Sequence, residues 1–196
     1  MTELVLATRN QHKVAEVTRL LAPFGLSVLP LPAGVELPPE DGSTFADNAL
    51  TKARAASRAL ARAVIADDSG IEAAALNGGP GVLSARYAGA DATDRENLQK
   101  LITEAPPGSA LRYVCTLAFA DGSRARVFTG ECRGRMAPAP RGEHGFGYDP
   151  VFLPDIAPNR TMAELTDSEK DLISHRGAAV RDFALWFAGE RPGRMP

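Results

Sequence analysis

The sequence predicts an α/β fold. Glu3–Thr8 (ELVLAT) is a short apolar run of the kind that forms a buried strand. Val14, Val17, Leu20, Leu21 and Phe24 then recur at helical spacing, and residues 26–31 (LSVLPL) read as a second strand. Strand, helix and strand in that order point to a sheet covered by helices.

The remaining elements follow in order. Gly25 stands where a helix stops, because glycine accepts the left-handed conformation that closes a C-terminus. Residues 32–43 are rich in Pro and Gly and read as a loop. Residues 44–63 are rich in Ala, Leu and Arg, all strong helix formers, with Thr44 as the candidate N-cap. Residues 63–68 (AVIADD) read as a strand ending at two aspartates. Residues 78–89 are a glycine-broken loop with little room for regular structure. Residues 91–105 read as a helix capped near Asp91 or Thr93. Residues 110–136 read as antiparallel strands turning at Asp121-Gly122. Residues 138–154 form a loop ending in a short strand, and 161–174 and 175–189 read as two helices. The tail, 190–196, is expected to fray. The strand-rich stretch 110–136 differs from its α/β flanks and marks a second lobe within a single domain spanning 1–196. A ligand cleft is expected between the lobes.

Composition narrows the function. The net charge is -2, which argues against a general nucleic-acid binder. No apolar run reaches the length of a membrane span. The first residues lack a basic segment followed by an apolar one, so the expected setting is the cytoplasm, with no membrane partner. Cys115 and Cys132 match no zinc spacing and are expected to be reduced, buried thiols.

Five stretches carry candidate chemistry. Residues 7–13 (ATRNQHK) lead from a strand into a helix, where free N–H groups favour anions and Thr8, Asn10 and Lys13 add donors. A plain loop with an Asn cap explains that stretch equally well. Glu40 and Asp41 precede a helix on which Asn48 and Lys52 share one face. A capped surface helix with a solvated lysine is the ordinary alternative. Asp67 and Asp68 end an apolar strand, a costly place for two unpaired charges. Side chains alternate along a strand, so the two aspartates should point different ways. Asp68 and Glu40 are hard oxygen donors of the kind Mg²⁺ prefers. In HGFGYDP, Phe146 or Tyr148 could stack on a heteroaromatic ring and Asp149 could accept from a base N–H; a tight loop whose aromatics plug the core explains the stretch equally well. Lys170, His175 and Arg176 add donors near the C-terminus. The set fits a nucleoside triphosphate better than a neutral metabolite.

In order and spacing these stretches resemble the inosine triphosphate pyrophosphatase family, which removes non-standard purine nucleotides. The matching segments are LATRNQHKVAEV, EDGSTFADNALTKA, ADDSGIEAAALNGGPGVLSARYAG, HGFGYDPVF and TMAELTDSEKDLISHRGAA, and together they cover nearly the whole chain. The resemblance implies hydrolysis of ITP, dITP and XTP to the monophosphate and pyrophosphate, with Mg²⁺. It also implies an elongated mixed β-sheet with flanking helices, and a homodimer. Thr8, Arg9, Asn10, Gln11, His12 and Lys13 match the phosphate-binding loop. Glu40 and Asp68 match the metal-linked acids, with Asp68 as the proton acceptor; Ser69 matches a substrate contact. Asn48 and Lys52 match positions beside the polyphosphate. Phe146, Gly147, Tyr148 and Asp149 match the base-binding loop, and Lys170, His175 and Arg176 match the C-terminal substrate contacts. Lys13, Lys52 and Lys170 would then stabilise the pyrophosphate leaving group, and His175 and Arg176 would donate to the purine 6-oxo group. Two positions depart from the family pattern: Arg9 and His144 stand where glycine is common. Rival readings are a pyrophosphatase for modified pyrimidine triphosphates and a non-enzymatic nucleotide-binding module.

Overall fold

The structure is a computed structural model that describes residues 2–189. Its strands are β1 (Thr2–Leu6), β2 (Leu26–Pro30), β3 (Val64–Ala73), β4 (Ala110–Asp121), β5 (Arg124–Met136) and β6 (Phe152–Pro154). Its helices are α1 (Gln11–Leu21), α2 (Phe45–Leu60), α3 (Asp94–Glu104), α4 (Asp167–Ile173) and α5 (His175–Gly189). The strands form a six-stranded sheet in the order β2-β1-β3-β4-β5-β6. β1 runs parallel to β2 and β3, whereas β6 is antiparallel to β5, so the sheet is mixed. The α/β class expected from the opening strand-helix-strand pattern is the class observed. The expectation for the tail, 190–196, lies outside the described residues.

The local signals act as the chemistry requires. Gly25 closes the end of the first helical stretch at φ 67°, in the left-handed region. Thr44 caps α2 by accepting from the Asp47 N–H. Thr93 caps α3 in a reciprocal box with Glu96. Gly122, at φ 59°, sits in the turn joining β4 to β5. Neither Arg9 nor His144 adopts positive φ, so the backbone at those positions does not demand glycine.

Three elements differ from their sequence expectation. β3 does not end at the aspartates; it continues to Ala73 and places Asp67 and Asp68 in mid-strand. Its second half is satisfied locally: the Ile71 N–H donates to Ser84 Oγ at 2.9 Å, and Glu72 bridges to Pro80. The expected helix over 161–174 splits into a 3-10 turn, Met162–Glu164, and α4. Two successive capping boxes cause the split, Thr161 with Glu164 and Thr166 with Glu169. The glycine-broken loop contains a 3-10 stretch, Gly81–Arg86.

The chain forms two compact units. The first contains residues 2–68, 116–130 and 176–189. Its core includes a small-residue contact in which Ala49, Ala53 and Ala56 of α2 meet Ala66, Ala118 and Ala120 of the strands. Alanines at this spacing share one helix face and let the helix approach the sheet closely. The second unit contains Ser69–Cys115 and Glu131–His175. Its core is built on Ile71, Leu101, Tyr113, Met136, Phe152 and Met162. The stretch 110–136 is divided between the two units. Cys115 and Cys132 are buried free thiols, and burial pushes the Cys132 thiol up to about 12.

Candidate functional site

The first unit gathers a buried set of charges where β1 ends. β1 pairs with β3 through Val5 and Leu6. The chain then leaves the sheet, with Ala7 N–H donating to Ile65 O at 2.8 Å, while β3 runs on to the aspartates. Residues 8–10 turn the chain into α1. Thr8 Oγ1 accepts from the Asn10 N–H at 3.2 Å, and Asn10 Oδ1 accepts from the His12 and Lys13 N–H groups at 2.9 and 3.2 Å. Asn10 therefore serves as the helix cap. Gln11 and His12 are exposed in the first turn of α1.

Asp67 and Asp68 have different partners. Asp67 is fully buried, and its Oδ2 accepts from Arg176 Nε at 3.2 Å and Nη2 at 3.1 Å. Lys13 Nζ lies 3.2 Å from the same oxygen. Arg176 is 2% exposed and also pairs with Glu16 of α1. Burial alone would raise the Asp67 pKa; Lys13, Arg176 and Lys52 outweigh it and hold the carboxyl far below the usual range. Asp68 accepts from Asn48 Nδ2 at 2.9 Å and lies 3.7 Å from Lys52 Nζ. Burial is its largest influence and pushes its pKa up, against Lys52, Lys13 and the Asn48 hydrogen bond; Glu40 adds to the rise.

Lys52 decides between a solvated helix face and a built site. It is 4% exposed, and Asn48 is 2% exposed. Both flank the alanine face that seats α2 on the sheet, so the close approach carries them inward. Lys52 Nζ donates to Glu40 and, at 2.7 Å, to the Asp67 carbonyl. Burial alone would lower its pKa; Asp68, Asp67 and Glu40 outweigh that and raise it. Glu40 and Asp68 thus both lie against the Lys52 ammonium, and each is a hard oxygen donor. Mg²⁺ is held by one or two carboxylates together with water and phosphate oxygens. In this group Glu16, Glu40, Asp67 and Asp68 outnumber Lys13, Lys52 and Arg176 by one charge, and Glu40 and Asp68 are the two carboxylates that could serve such an ion.

The second unit holds the residues expected to form the base-binding loop. Asp149 is 2% exposed and takes three donors: Tyr113 OH at 3.1 Å, the Phe146 N–H at 3.0 Å and Lys170 Nζ at 2.5 Å. It anchors the loop from inside. Gly145 is required there, at φ +73°, since a Cβ would come within 2.0 Å of Asp149 Oδ2. Tyr148 is buried and donates to Ser84 O at 2.7 Å, whereas Phe146 is half-buried with Lys170 Nζ 5.0 Å from its ring centre. Of the two aromatics, Phe146 is the more exposed. The Gly147 N–H donates to Asp94 at 3.2 Å. His175 stacks on Tyr113, with centroids 4.5 Å apart and planes at 7°. Ser69 is half-buried at the start of this unit.

A family model described as Ham1 matches residues 4–186. The chain belongs to the Ham1 family. It is 50% identical over 188 residues to the dITP/XTP pyrophosphatase of Geobacillus kaustophilus, covering 92% of this chain and 91% of that one. It is 46% identical over 190 residues to the dITP/XTP pyrophosphatase of Mycolicibacterium paratuberculosis, covering 92% and 93%. The solved structure of a HAM1 protein from Coxiella burnetii superposes with a TM-score of 0.84 at 38% identity, covering 96% of this chain and 100% of that one. The Ham1 protein of Staphylococcus aureus gives 0.82 at 36%, covering 97% and 100%.

Within this Ham1 chain, the structure joins Lys13, Glu40, Asn48, Lys52 and Asp68 in one unit and Phe146, Asp149, Lys170 and His175 in the other. Arg176 belongs with Asp67 and Glu16. Sequence reasoning missed Glu16 and Tyr113. Glu16 had a visible signal, since it falls beside Val17 and Leu20 on the apolar face of α1. Tyr113 is one apolar residue among many in β4 and carried none.

Proposed function

We propose that this protein hydrolyses ITP, dITP and XTP to the nucleoside monophosphate and pyrophosphate, with Mg²⁺, as a cytoplasmic homodimer. The observation that supports the activity is the Glu40–Lys52–Asp68 group, with Lys52 and Asp68 buried and Glu40 partly exposed, in a chain half identical to a dITP/XTP pyrophosphatase. The homodimer rests on family resemblance; no helix among the described residues is long and apolar enough to cross a membrane.

Glu40 and Asp68 would hold Mg²⁺, which supplies charge compensation on the phosphate oxygens. Asp68 accepts the proton of the attacking water, a role that suits a carboxyl whose affinity for protons is raised. Asn48 orients Asp68 through its 2.9 Å hydrogen bond. Lys52 and Lys13 stabilise negative charge growing on the leaving pyrophosphate. Phe146 stacks on the purine, and Lys170, tied to Asp149 beside that ring, is assigned to the base end. His175, fixed by its stack on Tyr113, donates to the 6-oxo group. Adenine carries a 6-amino donor there, which leaves that donor unpaired in a buried site. Phosphorus NMR of the products from ITP tests the bond cleaved. IMP and pyrophosphate are expected; IDP and orthophosphate would refute the assignment.

A further inference from the structure

We infer that Arg9 is a positioning residue for Glu40: its guanidinium clamps the loop that carries that carboxylate. The inference rests on the proposed role of Glu40 at the metal and phosphate.

Between β2 and α2 the chain runs without a helix or strand, and Glu40 lies on this stretch. The loop begins with a turn closed by the Val35 N–H and Pro32 O at 3.1 Å. Arg9 covers that turn. Its Nη1 donates to Leu31 O at 2.8 Å, and its Nη2 donates to Pro32 O at 2.9 Å, Ala33 O at 3.3 Å and Val35 O at 2.8 Å. A planar guanidinium can fan several donors across clustered carbonyls; an ammonium on a flexible stem cannot reproduce that spread. The far end of the loop is pinned separately, by the Gly42 N–H donating to Asn48 Oδ1 at 2.8 Å. That approach is tight, since a Cβ on Gly42 would meet Asn48 Oδ1 at 2.6 Å. Glu40 sits between the two pins and pairs with Lys52.

One loop is therefore fixed to the phosphate-loop segment at one end and to the Asp68 partner Asn48 at the other. Arg9 is exposed, so its side chain is not a core support. Without it, water can solvate the carbonyls, and the loop must be ordered at the moment of binding.

Hydrogen exchange over residues 31–40 and the Mg²⁺ concentration giving half-maximal ITP turnover test this in Arg9→Ala, Arg9→Lys and the wild type. Thermal melts check folding. Faster exchange over 31–40 is expected in both variants. The Mg²⁺ requirement should rise roughly tenfold, as when groups orienting a metal ligand are removed, and added Mg²⁺ should recover turnover. In a Glu40→Gln background, Arg9→Ala should shift the Mg²⁺ requirement no further. Unchanged exchange over 31–40 overturns the clamp. Faster exchange with an unchanged Mg²⁺ requirement, or a loss that Mg²⁺ does not recover, overturns its action through Glu40. A wild type without ITP turnover defeats the proposed function, while the exchange result still judges the clamp.

Discussion

Asp67 is held by Arg176 and Lys13, and its carboxyl stays far below the usual range. It thus contributes stability above the ordinary aspartate value of ~3.9, lost as pH falls through its lower folded value. Asp68 has the opposite sign. Burial raises its pKa, so stability falls as pH rises from the ordinary value to the folded one. At neutral pH its charge costs the fold something. Matching substitutions should therefore diverge. Asp67→Asn leaves Arg176 under-compensated and should cost about 3–5 kcal/mol in thermal or urea melts. Asp68→Asn should raise Tm without added Mg²⁺, yet lose roughly 10²–10⁴-fold in ITP turnover. Added Mg²⁺ should raise the wild-type Tm more than that of Asp68→Asn. The acid limb of kcat/KM should lie above the ordinary aspartate value, because the base must be ionised and its pKa is raised. A limb at the ordinary value would point to another group.

At the scale of elements, α2 places Asn48 and Lys52 by resting its alanine face on the sheet. Ala53→Leu adds volume where there is no room. It should cost about 1–3 kcal/mol and lower turnover by lifting Lys52 from Glu40; melts and an ITP assay check both. Phe146→Ala should raise KM about tenfold with a smaller change in kcat, since base stacking is worth ~1–3 kcal/mol. An unchanged KM would make Phe146 a packing residue. α2 was legible because its cap and its composition agree. The second half of β3 was not, because the aspartate pair followed by Ser and Gly satisfies turn chemistry as well. Only helices brought from elsewhere in the chain, α1, α2 and α5, supply the partners that let charges sit in mid-strand. The break in 161–174 was readable from two Thr-x-x-Glu boxes, which a helix-wide composition reading passes over.

For the whole molecule, the α/β class, the order of elements and the candidate site residues were written in short motifs. The pairing of those residues was not. Asp67 meets Arg176 across a sequence separation of 109, and no local pattern encodes that. The Arg9 side chain likewise finds its carbonyls only once β1 and β2 lie side by side. Each unit ends with its own core and its own polar group, one rich in carboxylates and cations, the other in an aromatic loop. The most direct measurement is pyrophosphate release from ITP, dITP, XTP, GTP, ATP and a modified pyrimidine triphosphate, each with and without Mg²⁺. Turnover of ITP, dITP and XTP far ahead of ATP and GTP, and only with Mg²⁺, is the expected result. Equal turnover across the panel, preference for the pyrimidine, or binding without release of pyrophosphate would contradict it.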